Sequence, residues 1–149
     1  MLSDDMKALI KNYNGGAVAT INDDGTPSVS TKATFTVVDD KTIAFGDIRS
    51  PGTVRNLSQR PAVEVCFLDV LKRQAVRVTG AGQVVAISEA DDALRAAFER
   101  DWADYLDTMK AFVRIDVTAA ELILSPAYDR GAKEADLKAE NLKKLNDLG

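Results

Sequence analysis

The stretch "GGAVATINDDGTPSVSTKATFTVVDDKTIAFGD", Gly15 to Asp47, decides the fold. "GGAVATI" reads as a strand, and "NDDGTP" as a turn in which Asp24-Gly25 is the strongest hairpin signal. "PSVSTKATFTVV" continues as one strand or two, rich in β-branched residues, and "DDK" turns the chain into "TIAFG". Strands in quick succession with short turns predict an antiparallel meander. A doubly wound parallel sheet would need a helix between successive strands, and none fits here.

Outward from that meander the pattern continues. "AVEVCFLD" and "RQAVRVTGAGQVVAI" read as further strands joined by "VLKR", and "FVRIDVTAAELIL" as a last one. Gly80 and Gly82 suggest a bulge, a bend or a close backbone approach. Helices fall at the periphery. Met6, Leu9, Ile10 and Tyr13 share one face behind a Ser3 cap, with Asp4 and Asp5 in the first turn. "SPGTVRNLSQRP" reads as a short helix opened by Ser50-Pro51 and closed before Pro61. Ser88 and Asp91 resemble a capping box ahead of a helix carrying Ala90, Leu94, Ala97, Phe98 and Trp102. A charged helix over about 132–149 ends the chain, with Leu142, Leu145 and Leu148 in line. The fold expected is mainly β: a six-stranded antiparallel split β-barrel with peripheral helices, one domain over 1–149.

Composition narrows the function. The chain has 46% hydrophobic and 28% charged residues and no apolar run of membrane-span length, as in a soluble globular protein. Its N-terminus begins with acids and has no signal-peptide core, which points to a cytoplasmic setting. Cys66, the one cysteine, is expected as a small core residue. There is no histidine, so His-based triads, His metal sites and the usual neutral-pH base are excluded. No metal is expected; chemistry here would be carried by a bound cofactor. A net charge of −4 and 6% aromatics argue against nucleic acid.

One segment stands apart. From Ile48 to Ala62 the chain carries Arg49, Arg55 and Arg60 and no carboxylate. A helix starting at Ser50-Pro51-Gly52-Thr53 points free backbone N–H groups outward, beside the Ser50 and Thr53 hydroxyls, which makes a workable phosphate seat. Arg49 sits at its lip, and "VSTK" can bring Ser30, Thr31 and Lys32 alongside. An ordinary capped helix with solvated arginines is the plainer alternative on spacing alone.

The order and spacing of "VSTK", the Thr53-x-x-Asn56-Leu57 run, the proline-led strand after it and Arg73-Gln74 before "VRVTG" resemble the FMN-binding split-barrel family related to pyridoxamine 5'-phosphate oxidase. The similarity covers Gly16 to Ile87 most clearly. It implies FMN bound between two subunits of a homodimer. It implies contacts from Ser30, Thr31 and Lys32, from Phe45, Gly46 and Asp47 beside the ring, from Ser50, Gly52, Thr53 and Asn56 at the phosphate, and from Gln74, with Arg49 and Lys32 supplying the charge there. Arg77 or Lys72 is a candidate positive charge near the ring. Two departures are visible: many relatives have lysine or arginine where this chain has Gly52, and the histidine-bearing substrate segment of the true oxidase is missing. The expectation is therefore an FMN-dependent oxidoreductase acting on a small molecule, with its catalytic residues and substrate unassigned. The alternatives are a non-catalytic FMN carrier or sensor, or a deazaflavin-dependent reductase. Haem is disfavoured by the absence of histidine.

Overall fold

A computed structural model describes all residues, 1–149. Seven strands form one antiparallel sheet in the order β2-β1-β5-β6-β7-β4-β3. They are β1 (Gly16–Ile21), β2 (Pro27–Lys32), β3 (Phe35–Asp39), β4 (Thr42–Asp47), β5 (Ala62–Asp69), β6 (Gln74–Val85) and β7 (Ala111–Leu124). The sheet curls into a barrel, but β2 and β3 remain unpaired edges, so the barrel is split. The expected six strands become seven because "PSVSTKATFTVV" breaks at Ala33-Thr34. Its two halves go to opposite edges of the sheet. β2 pairs β1, and β3 pairs β4.

β6 and β7 are the long spine, and their pairing slips by one residue at Thr79/Gly80. A Cβ on Gly80 would lie 2.3 Å from the Asp116 carbonyl oxygen, which explains the glycine at this bulge. The barrel interior holds Val18, Phe35, Ile43, Phe45, Val65 and Phe67 among others, with Leu9 and Ile10 of α1 (Asp4–Asn12) plugging one end. Ser3 caps α1 as expected, accepting from the Met6 N–H. A second apolar cluster lies outside the barrel, where α3 (Asp92–Trp102) covers β4 and β7. Its Phe98 ring stacks on Phe112 at 4.1 Å.

Two local expectations need correction. Ser88 does not cap α3; it lies in a separate short turn, and Asp91 caps the helix by accepting from the Leu94 N–H at 2.8 Å. Cys66 is exposed, because the strict in–out alternation of β5 turns Val63, Val65 and Phe67 inward and residues 62, 64, 66 and 68 outward. The final helix, α4 (Glu134–Leu148), buries only Asn141, while Leu142, Leu145 and Leu148 stay exposed. No helix is long and apolar enough to cross a membrane.

Candidate functional site

α2 (Pro51–Gln59) follows β4 directly, and its start faces edge strand β2. Pro51 lacks an N–H, and the Val54 N–H already bonds to the Ser50 carbonyl at 3.0 Å. The first turn therefore offers the N–H groups of Gly52 and Thr53, which have no intrahelical acceptor. Ser50 gives no side-chain cap to them. Its own N–H is held by Asp47 Oδ1 at 3.1 Å. A Cβ on Gly52 would meet nothing within 4 Å, so the space above the helix start is open.

Alternation along β2 sorts its residues. Ser30 and Lys32 face α2, and the Ser30 and Thr53 hydroxyls lie 3.1 Å apart. Thr31 is turned to the outer face of the sheet, in a row with Ala17 and Cys66. Lys32 makes no salt bridge. Burial pushes its ammonium below the ordinary lysine range, opposed only in part by the negative charge of Asp47. Arg49 is exposed and also unpaired.

The other two arginines behave differently. Arg55 and Arg60 both bond to Asp23, which reaches across from the β1–β2 turn and is itself held below the usual carboxylate range by Arg60 and Arg55. One carboxylate thus serves two guanidiniums and offsets half of their combined charge. Of the three arginines noted in the sequence, Arg49 alone has no carboxylate partner.

The remaining residues named from the sequence fall in several places. Asn56 is buried, and its amide donates to Thr20 and Asn22, both at 3.0 Å, so it braces α2 against β1. The Phe45 ring is inside the barrel at 5.2 Å from Phe35. Gly46 makes room for Met109, whose Sδ would be 2.4 Å from a Cβ there, and both of its backbone groups bond to the Thr34 hydroxyl. Gln74 is three strands away from β2 in the sheet order, at the start of β6. There it bonds to Tyr128 and Glu134, two residues that nothing in the sequence had singled out. Arg77 pairs with Glu121, and Lys72 lies 3.8 Å from Glu134, so neither charge is free within the chain.

Within one chain, then, Ser30, Lys32, Asp47, Ser50, Gly52 and Thr53 come together, with Arg49 at the rim. Apart from Asp47, already engaged by Ser50, these groups can donate hydrogen bonds, and two are cationic. That donor set suits a phosphate monoester.

A seven-stranded split barrel with hydrogen-bond donors gathered between an edge strand and a helix start is the class of fold that the chain adopts. The sequence pattern described as pyridoxamine 5'-phosphate oxidase matches residues 2–125, and the chain belongs to that family. Among solved structures it is similar to HupZ from Group A Streptococcus, at 25% identity over 84% of this chain and 96% of that one, TM-score 0.71. It is also similar to a pyridoxamine 5'-phosphate oxidase homologue from Lactobacillus delbrueckii (23% identity, 80% and 93% of the two chains, TM-score 0.65). An FMN-binding protein from Syntrophomonas wolfei shares the fold at 14% identity, 80% and 84% coverage and TM-score 0.61. No curated protein matches the chain.

Proposed function

We propose that the chain is an FMN-binding flavoprotein, an oxidoreductase acting on a small molecule, whose cofactor lies at the interface of a homodimer. The observation that carries this reading is the donor set at the α2 start: two free N–H groups, the Ser30 and Thr53 hydroxyls, and an unpaired, half-buried Lys32. Backbone N–H groups at a helix start favour an anion through both hydrogen bonds and the helix dipole. Lys32 adds a charge whose desolvation is offset when a phosphate arrives.

Bound flavin would supply hydride or single-electron transfer, which needs no histidine base. The protein's part is to hold the phosphate, exclude water from the ring and orient it. The homodimer is supported by the placement of Gln74 far from the seat, so that one chain alone does not bring the two together. It is also supported by exposed Leu68, Val70, Ile123 and Leu124 at the Gln74 end of the barrel. Pyridoxamine phosphate is not proposed as the substrate.

Titration of FMN and riboflavin into apo-protein tests the reading. FMN is expected to bind at least tenfold more tightly, about one charge-assisted contact. Equal affinity for the two would remove the phosphate seat. Sedimentation is expected to give two chains per particle, and a monomer holding stoichiometric FMN at high dilution would remove the interface.

A further inference from the structure

The proposed anion seat takes its groups from two stretches of chain. Ser30 and Lys32 come from β2, and Ser50, Gly52 and Thr53 from the turn and helix that follow β4. The Ser30–Thr53 contact ties the two stretches at the mouth. At the rear they are tied by Thr34, a residue that nothing in the sequence had singled out. Thr34 stands between β2 and β3, where the chain crosses from one edge of the sheet to the other. The β3–β4 ladder pairs Thr36 with Ala44 and Phe35 with Phe45, so its next rung would set Thr34 opposite Gly46. Strand β3 does not reach that far, and the side chain completes the rung instead. The Thr34 hydroxyl donates to the Gly46 carbonyl and accepts from the Gly46 N–H, both at 3.0 Å. One hydroxyl thus replaces the two backbone bonds that a hydrogen-bonded pair in an antiparallel ladder exchanges.

Gly46 is the fixed member of this pair. Met109 fills the space that a Cβ on Gly46 would take, and the carbonyl of the next residue, Asp47, accepts from the Lys110 N–H at 2.8 Å. The Asp47 carboxylate in turn holds the Ser50 N–H at 3.1 Å, directly ahead of α2. A short run of bonds therefore leads from Thr34 through Gly46 and Asp47 to the helix start. In the other direction, half-buried Lys32 is only two residues from Thr34. The single proton of the Thr34 hydroxyl is engaged by the Gly46 carbonyl, so it has none to give a phosphate.

We infer that Thr34 is a positioning residue: by holding Gly46 through both backbone groups, it sets how far the Lys32 ammonium stands from the first turn of α2. The inference rests on the FMN reading above, which gives that ammonium a phosphate to meet. Without the hydroxyl, the Gly46 N–H and carbonyl lose their partner, and the crossing must open to water to satisfy them. Opening carries the end of β2, and Lys32 with it, away from the helix start.

The test is titration of FMN and riboflavin into apo-protein, read by flavin fluorescence. Thr34→Val keeps the shape of the side chain and removes the hydroxyl. It is expected to bind FMN about tenfold more weakly than wild type, the loss of one charge-assisted contact, and riboflavin within about twofold of wild type. Thr34→Ser keeps the hydroxyl and is expected to bind FMN like wild type. In a Lys32→Met background, Thr34→Val is expected to cost less than about twofold, because the group it positions is gone. Thermal midpoints of the apo-variants check folding. Should Thr34→Val not fold, Thr34→Asn takes its place. Its amide still offers Gly46 a donor and an acceptor, but its greater length pushes the crossing outward, and the same loss of FMN affinity is expected. Full FMN affinity in a folded variant would overturn the positioning role. So would an equal loss for FMN and riboflavin, or an undiminished loss in the Lys32→Met background, since either marks Thr34 as a support of the fold alone. Wild type binding FMN and riboflavin alike would instead overturn the underlying FMN reading, and the inference with it.

Discussion

The hydroxyls of Ser30 and Thr53 lie 3.1 Å apart and tie edge strand β2 to the first turn of α2. This contact joins two segments 23 residues apart in sequence and fixes the mouth of the proposed anion seat. One of the two must donate and the other accept, which leaves at least one oxygen lone pair or proton directed outward. Ser30→Ala and Thr53→Ala are each expected to weaken FMN by roughly three- to tenfold, about 0.5–1.5 kcal/mol. Titration of the double variant closes the cycle. Coupling between the sites is expected, so the double loss should be smaller than the sum. Wild-type affinity in both single variants would show that the pair serves only the fold.

Lys32 is expected to give FMN binding an alkaline limb. Burial lowers its pKa in the free protein, and a bound phosphate would favour the charged form again. Affinity for FMN is therefore expected to be full below the depressed pKa and to fall as pH rises through it, earlier than an ordinary lysine would require. Stability of the apo-protein runs the other way. A lysine whose folded pKa is lowered disfavours the fold while protonated, so that penalty fades as pH rises from the folded value toward the unfolded one. Lys32→Met should abolish the alkaline limb, and Lys32→Arg should move it beyond the accessible range. FMN titrations from neutral to alkaline pH read both.

The β3 edge is closed by α3 rather than by another strand. Trp102 donates its indole N–H to the Phe35 carbonyl at 2.9 Å, and Arg100 donates to the Val37 carbonyl at 3.0 Å. An uncovered edge is a template for pairing with another chain. Trp102→Phe keeps most of the packing and removes the bond, at a cost of about 1 kcal/mol. The thermal midpoint is expected to fall by roughly 2–4 °C, as read by calorimetry. No change would mean that the edge carbonyl is satisfied by water.

Two glycines near the barrel should respond oppositely to a methyl group. Gly80→Ala drives a Cβ against the Asp116 carbonyl and is expected to cost about 1–3 kcal/mol or more. Gly52→Ala meets open space in a helical first turn and should change stability by no more than about 0.5 kcal/mol. Denaturant midpoints separate them. For Gly52→Ala, a loss of FMN affinity without a loss of stability would show that the ligand occupies the space over the helix start.

The sequence by itself determined the barrel, because each of its signals is local. Turn chemistry at Asp24-Gly25, the alternation of β5 and the peripheral helix at Ser50-Pro51 all rest on the conformational preferences of a few neighbouring residues. The helix start proposed as an anion seat was legible for the same reason, since a helix start exposes its N–H groups whatever surrounds it. Only the tertiary structure decided which charges are free. Arg55 and Arg60 looked available until Asp23, more than 30 residues away, was brought against them. Lys32 was legible as a candidate from its strand, but its partial loss of water, which lowers its pKa, comes only with burial in the fold. Gly46 gave no hint in the sequence of Met109, 63 positions later, against which a Cβ at this position would collide. Gln74 came with no hint of Tyr128 or Glu134, which reach it only because α4 folds back to the start of β6. Pairing between distant side chains leaves no periodicity or spacing behind in the sequence, and it is such pairing that sets the charge and orientation of the groups at this site.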